Sequence, residues 1–204
     1  MKKLQIISGR FVNKYFISKK CVNDLNKKYE KIKINLGSFG PKLAGRLESE
    51  LQFTASLQST AAYKQIVKCI EDYMKDQSRF FIISDGPRNI EIISCWINDM
   101  VMGEYNPPHI HHDGNGWSTV LFLKIPEFIN DAKDPHKFKD GQLGFIGVNG
   151  STSYYHTPKV GDFYIFEARH QHFVLPFKTK TQGEIRRSMS FNFILVDPKE
   201  KKNV

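Results

Sequence analysis

Three histidines and a carboxylate crowd together in Asn106-Pro107-Pro108-His109-Ile110-His111-His112-Asp113-Gly114. In an extended strand successive side chains point to opposite faces, so His109, His111 and Asp113 share one side and His112 points away. Two imidazoles and a carboxylate presented from one face make half of a transition-metal site.

The second half is expected in Phe166-Glu167-Ala168-Arg169-His170-Gln171-His172-Phe173-Val174-Leu175-Pro176. It follows the turn Pro158-Lys159-Val160-Gly161-Asp162 and a strand, Phe163–Phe166, and either His170 or His172 is placed to return an imidazole. An HxH or HxD pair on one strand, with a further histidine some sixty residues on, has the layout of a facial triad with positions left open for substrate and oxygen. A third element is Ile185-Arg186-Arg187-Ser188-Met189-Ser190-Phe191-Asn192-Phe193. Its alternation puts Arg186, Ser188, Ser190 and Asn192 on one face and Arg187, Met189, Phe191 and Phe193 on the other. If the first face points inward, guanidinium plus hydroxyl suits a carboxylate ligand, because Arg gives two parallel charge-assisted hydrogen bonds and Ser a third. An outward polar face on a half-buried strand gives the same alternation.

These residues need a scaffold. Helical apolar stripes run through residues 18–33 (Cys21, Val22, Leu25, Tyr29, Ile32) and 59–75 (Tyr63, Ile66, Val67, Ile70, Tyr73, Met74), with Ser59 or Thr60 available as a cap. Gly37-Ser38-Phe39-Gly40-Pro41 between them reads as loop. From residue 79 short β-rich runs follow one another: 79–84, 90–102, 109–113, 118–125, 142–148, 152–156, 162–166, 172–177 and 185–196. Glycine, proline and asparagine punctuate them. This is the pattern of a mainly β protein, an antiparallel sandwich or jelly roll with helices packed outside. One domain is expected over 1–204: a helix-rich portion at 1–78, the β core at 79–197 and a basic tail at 198–204.

At 204 residues, 40% hydrophobic and 25% charged, the chain has the composition of a globular protein able to bury a core. No apolar run reaches membrane-spanning length, and Leu4-Gln5-Ile6-Ile7 is too soon interrupted for a signal peptide, so a cytoplasmic location is expected. Cys21, Cys69 and Cys95 are widely spaced, without CxxC, and read as reduced core residues. The net charge of +9 is diffuse, with lysines crowding the N-terminal third and the C-terminal tail. A solvated surface explains it, and an acidic partner, nucleic acid included, is the other reading.

Together, Asn106-Pro107-Pro108-His109-Ile110-His111, Trp117-Ser118, Lys124-Ile125-Pro126, Gly161-Asp162…Phe166…His172 and Arg186-x-Ser188-x-Ser190-x-Asn192 resemble a group of 2-oxoglutarate- and Fe(II)-dependent oxygenases of bacteria and bacteriophages. Leu43-Ala44-Gly45…Glu50 and Trp96-Ile97-Asn98 also look like that group, so the likeness spans roughly residues 43–196. The resemblance implies a double-stranded β-helix, a jelly roll with Fe(II) near one open end. It implies His109 as the first ligand and His172 as the last, with Arg186 holding the distal carboxylate of 2-oxoglutarate, assisted by Ser188. The implied reaction oxidises a C–H group with O2 while 2-oxoglutarate is decarboxylated to succinate.

Two metal registers stay open. One uses His109, His111 and His172, three neutral imidazoles. The other uses His111, Asp113 and His172, with the charge balance usual for non-haem iron. A third possibility keeps only His109 and His172 as ligands, with water completing the sphere. A cupin-type three-histidine metalloenzyme without 2-oxoglutarate, and a non-enzymatic jelly-roll binding or structural protein, are the competing classes. Tyr105 and Trp117 are candidate pocket walls, Asn98 and Asn192 candidate inward polar partners, and the loop 127–140 a candidate cover. The primary substrate could be peptidyl, nucleic acid or a metabolite, since fold does not choose among them.

Overall fold

Ser18 opens the first helix by accepting a hydrogen bond from the Cys21 N–H at 3.4 Å. Val22, Leu25 and Tyr29 then recur on one buried face. A computed structural model describes residues 2–7, 10–80, 89–111, 114–129, 139–147 and 153–197. In chain order these form β1 (Lys3–Ile7), β2 (Arg10–Phe16), α1 (Lys19–Ile32), β3 (Ser49–Gln52), the one-turn α2 (Thr54–Leu57) and α3 (Ala62–Phe80). There follow β4 (Asn89–Met100), β5 (Asn106–His109), β6 (Trp117–Lys124), β7 (Leu143–Ile146), β8 (Ser153–His156), β9 (Asp162–Glu167), β10 (His172–Val174) and β11 (Arg186–Val196).

The strands make two antiparallel sheets, one ordered β1-β2-β9-β6-β11-β4-β3 and a smaller one ordered β5-β10-β7-β8. From β4 to β11 the chain alternates between sheets in the jelly-roll manner expected, except that β7 and β8 form a hairpin within the smaller one. The outer face of the larger sheet carries Leu121, Phe163, Met189, Phe191 and Phe193 against α1 and α3. A second cluster, including Phe122, Tyr164, Phe166, Leu143 and Phe145, fills the space between the sheets. The helices thus cover one face and leave the inner face of the roll for the site.

The N-terminal portion contributes more strand than its helical stripes suggest. β1 and β2 extend the larger sheet beyond β9, and β3 extends it beyond β4. β2 hides its strand signal because both faces are buried, Phe11 and Tyr15 toward the helices and Val12 toward the roll. The strand expected at 79–84 is corrected at its start: α3 continues through Phe80, and 81–84 lie outside the described residues. Its last turns bury Asp76 and Gln77, polar positions that an apolar stripe does not reveal, and Asp76 accepts from Asn13 Nδ2 at 2.7 Å. Ser59 and Thr60 do not cap α3 as expected, since their hydroxyls donate backward to the Ser56 and Leu57 carbonyls. All three cysteines are free thiols, Cys95 fully buried. Among the described residues no helix is long and apolar enough to cross a membrane.

Candidate metal centre and active-site cleft

Register across the larger sheet lays polar side chains in rows on its inner face. Ser188 pairs with Asn98, and Asn98 with Glu50 on the edge strand β3. One row away Ser190 pairs with Trp96, and Trp96 with Gln52; on the other side Arg186 pairs with Met100. A strand pair shares faces every second residue, so Arg186, Ser188, Ser190 and Asn192 all point inward, opposite Met189, Phe191 and Phe193. The inward reading of this strand is therefore the one the fold adopts.

The smaller sheet supplies the imidazoles. His172 on β10 sits directly opposite His109 on β5, and His111 follows just past the end of β5, its N–H bonded to the Ala168 carbonyl at 3.0 Å. The His111 Nε2 lies 3.0 Å from His109 Nε2 and 3.0 Å from His172 Nε2. Ligand atoms of all three lie within 4.8 Å of one another. His109 Nδ1 donates to the Pro107 carbonyl at 2.7 Å, and His172 Nδ1 to the His170 carbonyl at 2.9 Å. Each bond fixes the tautomer and turns the Nε2 lone pair into the cluster.

Burial keeps these rings neutral. Desolvation lowers His109, and desolvation with the neighbouring His109 pushes His111 down to about 3. His172 is held well below its ordinary value by desolvation first and by the other two rings after it. Neutral imidazole is the form that binds metal. The donor set therefore fits a divalent cation. Asn192, whose Oδ1 accepts from Ser118 at 2.8 Å and whose Nδ2 donates to Ser94 at 3.3 Å, also bonds the His111 ring. Trp96 stacks on His111 from the other side, with centroids 5.3 Å apart.

A narrow cleft opens over the cluster, walled by Leu43, Gly45, Glu50, Asn98, Asn106 and Ser188 among others. A second hollow of about 870 Å³ continues outward past Phe39, Lys42 and Ile110 and shares Trp96, His109 and His111 with the first. Arg186 lies one residue pair deeper than Ser188 and is wholly buried. Its Nε donates to the Gly141 carbonyl at 3.1 Å, its Nη1 contacts Met100 Sδ at 3.1 Å, and its guanidinium carbon lies 4.8 Å from the centre of the Phe122 ring. Nη2 has no partner among the described residues. Desolvation without a carboxylate beside it pushes Arg186 down to about 9. A buried guanidinium of this kind gains most from an anionic partner.

Of the residues singled out by sequence, the fold brings His109, His111 and His172 together and places Ser188 in the cleft, while Arg186 lies buried on the same inward face of β11 and does not itself line it. His170 is not in the cluster; its ring packs on Phe145 and its Nε2 lies 3.2 Å from the Ile146 carbonyl. His112 and Asp113, and with them the second metal register, lie outside the described residues, as do 130–138 of the candidate cover. Trp117 is no pocket wall, for it stacks on Phe193 in the helix-side core. Tyr105 is 40% exposed and lines neither hollow. Asn98 and Asn192 do face inward, one in each hollow. Glu50 received no role from residue patterning, because Ser49–Gln52 has no apolar alternation to mark it as a strand.

Fold and site define a jelly-roll protein with a three-imidazole metal cluster at its mouth. Residues 94–192 match the family model described as "Putative 2OG-Fe(II) oxygenase", which covers β4 through most of β11. The β core of the chain is thus similar to the 2OG-Fe(II) oxygenases, a family that implies Fe(II), 2-oxoglutarate and O2. Similar solved structures include a prolyl-4-hydroxylase of Pseudomonas putida (16% identity, TM-score 0.59, covering 89% of this chain and 91% of that one). Another is a prolyl hydroxylase from Trichoplax adhaerens in complex with a hypoxia inducible factor peptide fragment (14%, 0.61, 95% and 86%). A third is a viral collagen prolyl hydroxylase from Paramecium Bursaria Chlorella virus-1 with 2OG (17%, 0.54, 93% and 98%). At these identities the likeness establishes the shared fold. No curated protein matches the sequence.

Proposed function

We propose that the protein is an Fe(II)- and 2-oxoglutarate-dependent dioxygenase that hydroxylates a primary substrate. The observation that carries this reading is the convergence of three neutral Nε2 atoms on one sheet, with a buried arginine that has no carboxylate partner among the described residues on the inward face of the other. His109, His111 and His172 would hold the iron, and Arg186 with Ser188 the distal carboxylate of 2-oxoglutarate. Bound together, iron and cosubstrate supply the oxidising chemistry, with succinate and CO2 as the products of 2-oxoglutarate. The protein's own residues position and shield. Pro107 and His170 carbonyls hold two rings in one tautomer, and Arg186 sets the depth of the cosubstrate. Trp96, Val120, Leu143 and Val174 keep the cleft wall dry.

Arg186 also separates this reading from a cupin-type metalloenzyme with the same three imidazoles, which would have no use for a buried carboxylate anchor. Anaerobic titration of Fe(II) and 2-oxoglutarate into the folded protein should produce the weak visible charge-transfer band of the ternary complex, and succinate should form when air is admitted. A folded protein that binds iron and gives neither band nor succinate refutes the reading.

A further inference from the structure

The cleft has a second charged end that the cosubstrate does not account for. Glu50 is 3% exposed, lines the cleft, and has no hydrogen-bond donor or cation beside its carboxyl among the described residues. Nearby, the Oδ1 atoms of Asn98 and Asn106 are buried without a partner among the described residues. Two of these acceptors converge on one point: a Cβ built on Gly45 would stand 2.5 Å from Asn106 Oδ1 and 2.7 Å from Glu50 Oε1. Leu47 Cδ1 stands closer still to that position, so only a residue without a side chain fits at 45. Buried polar atoms are ordinarily satisfied, so a group of acceptors lacking donors marks a place where a ligand supplies them.

Glu50 does not belong to the metal cluster. The one charge acting on it is the like charge of Glu104, and its own charge acts on none of the three imidazoles. Nor does it lie on the cosubstrate's line. β3 is two strands away from β11, which puts Glu50 ~10 Å across the sheet from Ser188. A dicarboxylate anchored at Arg186 is also repelled by a second carboxylate. Burial and then Glu104 raise Glu50 to about 7, as for an acid awaiting a cation.

We propose that Glu50, with the Asn106 carboxamide, is the recognition end of the cleft for the primary substrate, and that the group it takes is a cationic nitrogen, ammonium or guanidinium. The substrate role rests on the oxygenase reading above; the cation preference stands on the acceptors themselves. The cleft would then be bipolar, with hydroxyl and the deeper-lying guanidinium for the cosubstrate and carboxylate with carboxamide at the sheet edge for the substrate. Free amino acids and side chains within a peptide both carry such nitrogens, and the test distinguishes them.

The test is calorimetric titration with L-lysine, L-arginine and the neutral isosteres norleucine and citrulline. Each is used free and at the centre of a blocked tripeptide, on protein alone and on protein with Fe(II) and 2-oxoglutarate under argon. Wild type should bind the cationic probe at least about tenfold more tightly than its isostere, the gain expected of one charge-assisted hydrogen bond. Glu50→Gln should bring the pair within about twofold, and Glu50→Asp should keep the cationic preference at reduced affinity. Tighter binding of the free or the peptide form identifies the source. Equal binding of cation and isostere by wild type, no binding of any cationic probe, or an undiminished preference in Glu50→Gln overturns the proposal. A missing charge-transfer band would instead strike the oxygenase reading, which the titration of the metal-free protein keeps separate.

Discussion

Replacing Arg186 with methionine should separate stability from cosubstrate binding, with effects of opposite sign. In the free protein Arg186 is fully buried and, among the described residues, faces no carboxylate and leaves Nη2 unpaired. An unsatisfied buried donor costs about 1–3 kcal/mol, and replacing buried charge by an apolar side chain of similar shape is often neutral or stabilising by about 1–4 kcal/mol. The lost bond to the Gly141 carbonyl offsets about 1 kcal/mol of that. Ligand-free Arg186→Met should therefore be as stable as wild type or more stable by up to about 2 kcal/mol in urea unfolding. Binding should move the other way. Two charge-assisted hydrogen bonds at about 1.5–3 kcal/mol each amount to about 3–6 kcal/mol, a loss of ~10²–10⁴-fold in affinity. Calorimetry of 2-oxoglutarate with the Fe(II)-loaded protein under argon measures this directly. Added 2-oxoglutarate should raise the unfolding midpoint of wild type and leave the variant's in place. A variant that is less stable by more than about 2 kcal/mol yet binds 2-oxoglutarate within about threefold of wild type would make Arg186 a structural residue and refute the reasoning.

Three further outcomes follow from the same geometry. His109→Ala should weaken Fe(II) binding by more than about 100-fold, beyond the usual loss from an outer-sphere contact, while Asp113→Ala should leave it nearly intact; the reverse result assigns the metal to the register that begins at His111. Asp99→Asn should destabilise the fold by about 3 kcal/mol in urea, because it strips a buried guanidinium of its main partner. Arg187, 2% exposed, is held by Asp99 at 2.5 and 2.8 Å and bridged to α1 through Glu30 at 2.7 Å, so a loss under about 1 kcal/mol would deny this tie its role. His156 is pushed down to about 4 by burial and then by Lys14 and Lys3. With the folded value below the unfolded one, its contribution to stability is complete above about pH 6.5 and is lost as pH falls toward 4. Its ring resonances should titrate near pH 4, and a midpoint above 6 would contradict the burial.

The candidate site was legible where chemistry and strand period coincide. Arg186-x-Ser188-x-Ser190-x-Asn192 announces one polar face, and the pairing of β11 with β4 and β6 turns that face inward. His109 and His172 were legible as ligand types, but only cross-strand pairing decides between His172 and its neighbour His170. Glu50 was hidden for a physical reason: its strand has four residues at the sheet edge, and its burial comes from the loop around Gly40 and Gly45 rather than from any periodic pattern. β2 was hidden by burial on both faces, and the last turns of α3 by hydrogen-bonded polar residues standing where apolar ones would be expected. Tertiary partners, absent from local pattern, made each of these decisions.

The stack of Phe39, Trp96 and His111, with centroid separations of 5.2 and 5.3 Å, gives the cleft an optical reporter. The chain has two tryptophans, and the other, Trp117, stacks on Phe193 in the opposite core. Metal bound at His111 would quench the emission of Trp96 and leave that of Trp117 as an internal reference. A Trp117→Phe protein would isolate the signal, so that filling and emptying of the centre could be followed in real time without an added dye. The ring that walls the cleft on one side of the metal would then also be the means of watching it.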